Sequence, residues 1–289
     1  DDETMQSQIE KIGRKFTYMN MLWLRAPDDV FRLKIDTNYN PSNCFKSLDE
    51  QRQGVLAELR EEIPAKWHDD MYDDILIRTF VTQMNTQRSN GSTRIRQAGP
   101  LIFSCPLEIF QNSTSRTATF KEDIGFELGA DGVGNYNEMA PILFKDYEGK
   151  FDKWKIFRNP VLMKVRVQKD SSWFRIYIIQ AYSALVRGMG SIQDLMEGNV
   201  TKRQAHSTVE SQWGVHRITP GAIAMAAIYA RFAASEDKTF QPIGAETKID
   251  YQGDFEYYLE YLHDGLHSKA PSVIELFAIW NKEFYPDHS

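Results

Sequence analysis

Cysteine is nearly absent from this chain, at two residues of 289, Cys44 and Cys105. That is too few to staple a small secreted scaffold and fits a reducing compartment, with a single bridge between the two left open. Long apolar runs are missing as well. The densest stretch, Trp173 to Val186, is 14 residues long and contains Arg175, Gln180 and Ser183, short of the roughly 18 residues a membrane span requires. No membrane partner is expected. Glycine (17) and proline (11) are too sparse for a collagen-like repeat, and they cluster nowhere as a linker. What is present is 42% hydrophobic and 12% aromatic residues, enough to bury a sizeable core. The chain opens on Asp1 and not on methionine, so a processed N-terminus is expected.

An excess of positive charge is also lacking. Lys and Arg number 34 against 40 Asp and Glu, a formal charge of −6, which argues against a protein that coats a polyanion over its whole surface. The distribution is uneven, however. Residues 150–203 hold 11 basic and 4 acidic groups, a block of +7, whereas residues 204–289 hold 6 and 12, a block of −6.

Periodicity favours helices. Ile9, Ile12, Phe16, Met19 and Trp23 form one apolar face across Met5 to Leu24, stopped at Ala26-Pro27. Val30 to Ile35 alternates as a short strand would. Ser47 and Glu50 have capping-box spacing before a helix to Ile63, and Pro64 suits the first turn of another carrying Trp67, Met71, Ile75, Phe80 and Met84. The polar run Thr86 to Thr93 reads as a solvated loop. Trp173 to Val186 predicts a buried helix ended by Gly188, and Thr219-Pro220 supplies an N-cap and N1 proline for Ile223 to Ala234. Asp254 to Leu262 and Pro271 to Phe284 predict two more helices. The expected fold is mainly α: a single helical domain over 1–289, with a loop-rich middle at 86–147 holding a few short strands, and a helical core at 150–285.

Four strings invite a functional reading. His263-Asp264-Gly265-Leu266-His267 has the two-histidine spacing of zinc proteases, yet its acid is Asp, and Gly265 reads as a helix cap that would put His267 off the face. His68-Asp69-Asp70 resembles half of an iron facial triad, but on a helix positions i and i+2 diverge. The acidic cluster Asp69, Asp70, Asp73 and Asp74 reads as a solvated helix start. Gly129 to Asn135 is glycine-rich without a P-loop ending and reads as a turn. No Gly-x-Ser-x-Gly elbow occurs.

The basic band carries the sharper expectation. Lys150, Lys153, Lys155, Arg158, Lys164, Arg166, Lys169 and Arg175 interleave with Phe151, Trp154, Phe157, Trp173, Phe174 and Tyr177. Cations that track phosphates beside rings that stack on bases make a single-strand binder. The opposing expectation is that these cations face the acidic C-terminal third.

Ile218-Thr219-Pro220-Gly221-Ala222-Ile223-Ala224-Met225-Ala226-Ala227-Ile228-Tyr229-Ala230-Arg231-Phe232-Ala233-Ala234-Ser235 resembles an uncharacterised family of mushroom-forming (basidiomycete) fungi, domain-of-unknown-function family 6698. Trp154 to Lys164, Trp280 to Phe284 and Met21 to Arg25 resemble it too. The family brings no agreed activity and no catalytic residues. Its expansion in genomes rich in mobile elements implies an intracellular setting, with the nucleus as one candidate.

Together these features predict a non-enzymatic macromolecule-binding module. Its binding residues would be Lys150, Lys153, Trp154, Lys155, Arg158, Lys164, Arg166, Lys169 and Arg175, with nucleic acid or an acidic protein as partner and no cofactor. The alternatives are a metal-dependent enzyme holding zinc or another divalent cation on His263 and His267, and an oligomeric structural protein.

Overall fold

The computed structural model describes residues 4–163, 181–186 and 212–286. Helix α1, Met5–Met19, is capped by Thr4, whose hydroxyl accepts the Ser7 N–H at 3.3 Å, and buries Ile9, Phe16 and Met19 as the periodicity requires. It ends one turn before the predicted Leu24. Met21, Leu22 and Trp23 remain buried in irregular chain.

The strand expected over Val30 to Ile35 is instead helix α2, Pro27–Phe31, with proline in its first turn beside Asp28 and Asp29. Three helix-start signals outweigh an alternation only six residues long. Helix α3, Leu48–Glu62, begins at the predicted cap, the Ser47 hydroxyl accepting the Glu50 N–H at 3.2 Å. After Pro64 the chain forms two short 3-10 turns, and Asp73 then caps α4, Asp74–Ile102.

The predicted loop Thr86 to Thr93 lies in the middle of α4. Thr86, Ser89, Asn90 and Thr93 are exposed, while Met84, Gln87, Gly91, Ile95 and Ala98 recur at helical spacing on the buried face. A glycine and a glutamine on that face concealed the stripe. Gly91 sits where the Tyr18 and Tyr229 hydroxyls converge, leaving no room for a Cβ. Arginines in and next to this run brace distant carbonyls: Arg88 donates to Leu22 O at 2.6 Å and Arg94 to Leu185 O at 3.2 Å.

Beyond α4 come two short helices, α5 (Leu107–Gln111) and α6 (Ser113–Phe120), and an antiparallel hairpin of β1 (Phe126–Leu128) and β2 (Gly134–Tyr136). The glycine-rich string turns that hairpin: Asp131 Oδ1 accepts the Val133 N–H at 3.0 Å, and Gly132 adopts φ 77°. Of the predicted helix Trp173 to Val186, only α7, Ala181–Val186, falls within the described residues, and it is buried.

Helix α8, Pro220–Ala234, runs through the centre. Thr219 caps it, accepting the Ala222 N–H at 3.1 Å, and every residue from Gly221 to Ala234 is buried. Its small side chains let α1, α4, α7 and α9 (Tyr251–His267) approach closely. A Cβ on Gly221 would overlap the Met19 and Asn20 carbonyl oxygens, so this glycine sets the α8–α1 approach. Helix α10, Pro271–Phe284, follows α9. Its Trp280 is fully buried, donating Nε1–H to Phe157 O at 3.1 Å.

Arg116, Arg231 and Asp237 are charged residues buried among the described residues, and Arg231 lies in the central helix. Arg231 of α8 is fully buried, pairs with Asp254 and donates to the Tyr258 hydroxyl (3.0 Å), Ile124 O (3.1 Å) and Asn137 O (3.0 Å). A buried guanidinium is tolerated because acceptors surround it. It pins the segment around β1 and β2 to α8. Cys44 and Cys105 are both free thiols.

Candidate functional site

The basic band begins in a turn with two faces. Asp152 Oδ1 accepts the Trp154 N–H at 2.8 Å, and Asp152 O accepts from Lys155 and Ile156 N–H at 3.0 Å each, so the carboxylate winds the chain back on itself. Ile156 bridges to Phe144, and Phe157 is buried against Tyr258 with ring centroids 5.3 Å apart. Those two apolar side chains anchor the inner face. The outer face carries Lys150, Phe151, Lys153 and Trp154, with Phe151 49% and Trp154 43% exposed.

The cations divide into two kinds. Lys155 bonds Glu148 at 2.7 Å and Asp146 O at 3.3 Å; their bond raises the Lys155 pKa and lowers that of Glu148. Arg158 reaches α10, bonding Glu275 at 3.0 Å and Ser272 O at 3.2 Å. Lys155 and Arg158 were expected among the binding cations; each forms an ion pair within the chain, Lys155 at the surface with Glu148 and Arg158 with Glu275 of the acidic C-terminal third. Lys150 and Lys153 form no ion pair among the described residues. Lys164, Arg166, Lys169 and Arg175 lie outside the described residues, as do Trp173, Phe174 and Tyr177.

The second candidate differs from expectation in its helix. Gly265 does not cap α9; the helix continues to His267 and Ser268 is its C-cap. Gly265 is buried because a Cβ there would overlap Val273 of α10. The two imidazoles therefore share a face, stacked with centroids 6.1 Å apart and planes 21° from parallel. His267 Nδ1 is bonded to His263 O at 3.0 Å. Among the described residues, no group of three or more His, Cys, Asp or Glu side chains could hold a metal ion.

What faces His263 is a residue the sequence did not single out. Glu58 Oε1 lies 4.0 Å from His263 Nε2, and Asn20 donates to Glu58 Oε2 at 3.3 Å. Burial, reinforced by Glu61 and Glu62, pushes the Glu58 carboxyl up to about 7. Burial and the neighbouring His267 push His263 down to about 4. Both groups are thus driven toward neutrality. The available signal was the position of Glu58 beside Leu59 and three residues after Val55, on the apolar side of α3.

The remaining strings find structural uses. His68 Nε2 lies 2.8 Å from Ile63 O, at the end of α3. Asp73 caps α4, and Asp74 pairs with Arg32.

A family model described as a family of unknown function (DUF6698) matches residues 137–285. The match takes in the turn, α7 and α8 to α10. No curated protein and no solved structure matches the chain, and no helix among the described residues is long and apolar enough to cross a membrane.

Proposed function

The chain belongs to the family of unknown function DUF6698, and within that family we propose that it is a non-enzymatic module that binds single-stranded nucleic acid through the 150–154 turn. One observation carries the reading: two aromatic side chains, Phe151 and Trp154, are 49% and 43% exposed and are flanked by two lysines that form no ion pair among the described residues. Exposed rings offer faces for unpaired bases, and the ammonium groups supply phosphate contacts with salt-dependent affinity. The buried inner face, Ile156 and Phe157, holds this surface in place before the partner arrives, which lowers the ordering cost of binding. A nuclear setting in a fungal cell accords with such a partner.

The test is fluorescence anisotropy with labelled single-stranded RNA and DNA at rising salt. Stacking on an aromatic ring is worth about 1–3 kcal/mol per base, so Trp154→Ala is expected to weaken binding about tenfold or more. Lys150→Glu with Lys153→Glu should weaken it further and flatten the salt dependence by about 0.7 per lost contact. Absence of binding at low salt, where electrostatic attraction is strongest, would exclude nucleic acid as the partner. The metal-enzyme alternative has a histidine pair on one face but no third donor among the described residues.

A further inference from the structure

A cavity of ≈ 350 Å³ lies between the end of α4, α6 and the chain leading into the turn. That volume is at the lower end of small-ligand sites, about 300–1,000 Å³. Four of its lining residues are aromatic, Phe103, Phe120, Phe144 and Tyr147, and two are carboxylates, Asp123 and Asp146; the described lining includes no basic side chain. The rings form two pairs, Phe103 with Phe120 at 4.8 Å between centroids and Phe144 with Tyr147 at 5.2 Å. Asn159, also in the wall, holds its shape by donating to Phe144 O at 3.0 Å and accepting the Val161 N–H at 2.9 Å.

The charge in this cavity is unbalanced. Neither carboxylate is engaged by an ion pair or a side-chain hydrogen bond among the described residues. Of the neighbouring cations, the Lys121 ammonium sits 3.5 Å from the centre of the Phe126 ring, and Lys155 is bonded to Glu148 while also donating to Asp146 O at 3.3 Å, so Asp146 is partly offset and Asp123 is the carboxylate left without a cation. Lys145 is exposed and is not part of the lining. Burial, with Glu122 adding to it, raises the Asp123 pKa above its ordinary value, as expected of negative charge that lacks a compensating cation.

We propose that this cavity is a binding site for a methylated ammonium group, as carried by a trimethylated lysine side chain or by choline. Aromatic faces attract cations through their quadrupole, and most strongly when the cation sheds its water at little cost. A primary ammonium would bring three N–H donors into a wall that is largely hydrocarbon, with a desolvation penalty for each one left unpaired. A trimethylammonium has no donors to satisfy and presents methyl groups to the rings, while Asp123 and Asp146 supply the opposite charge. None of the four residues of the outer face of the turn lines the cavity; Phe151 touches its wall only through Phe144, with ring centroids 6.0 Å apart.

The experiment is calorimetric titration of the full chain with three probes: a trimethyl-lysine peptide, choline, and the uncharged tert-butyl isostere of choline. Binding of either cation, with the neutral isostere at least tenfold weaker, is the expected result. A peptide that binds more tightly than choline assigns the source to a protein tail; equal affinities assign it to a free metabolite. Tyr147→Ala and Asp146→Asn, both at exposed positions and checked for an unchanged circular dichroism spectrum, should each weaken the cation about tenfold. Equal binding of the isostere, full affinity in both variants, or no binding of either cation at millimolar concentration would overturn the proposal.

Discussion

Glu58 and His263 face each other across α3 and α9, and their displaced pKa values act on stability in opposite directions. Glu58 has an ordinary value of 4.5 and titrates at about 7 in the fold. Between those limits the folded state binds a proton that the unfolded chain does not, so acidification from pH 7 toward 4.5 stabilises the protein. His263 has an ordinary value of 6.5 and titrates at about 4. Between 6.5 and 4 the unfolded chain binds a proton that the folded state refuses, so acidification destabilises it. The two effects nearly cancel in the parent. Single substitutions should expose the remaining group: Glu58→Gln on its own profile loses stability as pH falls from 6.5 to 4, and His263→Gln gains it as pH falls from 7 to 4.5, where the parent stays nearly level. Each slope approaches about 1.4 kcal/mol per pH unit at most. Urea unfolding between pH 4 and 7 measures this; two single variants that both keep the parental profile would contradict it.

At the scale of elements, α8 decides how the helices assemble. Its Thr219 hydroxyl both caps the helix and donates to Met19 O, while Gly221 lies against the Met19 and Asn20 carbonyls. A methyl group at Gly221 would meet rigid backbone and not the flexible end of a side chain. Gly221→Ala should therefore cost about 2–3 kcal/mol, within the range for overpacked cores, although alanine is the better helix former. Thr219→Val, which loses the cap, should cost about 1 kcal/mol. Chemical denaturation gives both values, and a neutral Gly221→Ala would show that α1 and α8 can separate freely. The cap and the N1 proline of α8 were legible because they act within one turn of chain. The middle of α4 was not, because Gln87 and Gly91 are polar or small for reasons set by Tyr18 and Tyr229, which lie far away in sequence.

Over the whole molecule, the net charge of −6 contains a block of +7 at 150–203 and one of −6 at 204–289, and the fold joins them in part. Arg158 of the basic block bonds Glu275 of the acidic one, and Arg25, from the N-terminal part of the chain, bonds Glu256 at 2.6 Å. Partly exposed pairs of this kind contribute about 0–1 kcal/mol each. Burial of the helical core supplies most of the stability. Raising NaCl to 1 M should accordingly change the unfolding free energy by less than about 2 kcal/mol, while nucleic-acid binding through two lysine contacts should fall about sevenfold between 50 and 200 mM salt. A salt-induced collapse of the fold itself, followed by circular dichroism, would reverse that ranking.

Local rules in the sequence were sufficient for the helical class, the caps at Ser47 and Thr219 and the turn at Gly129 to Asn135, since each depends on neighbours within a few residues; the buried centre was expected at Trp173 to Val186, and the structure gives that place to α8 as well. The tertiary structure alone decided how Arg158 is paired: Lys155 meets Glu148 seven residues away within the same turn, whereas Glu275, the partner of Arg158, is brought up only by the docking of the turn on α10. The same holds for the Glu58–His263 pair and the Asp123–Asp146 cavity. In both, charged groups from separate elements meet where solvent is partly excluded, and one-dimensional spacing carries no record of that meeting.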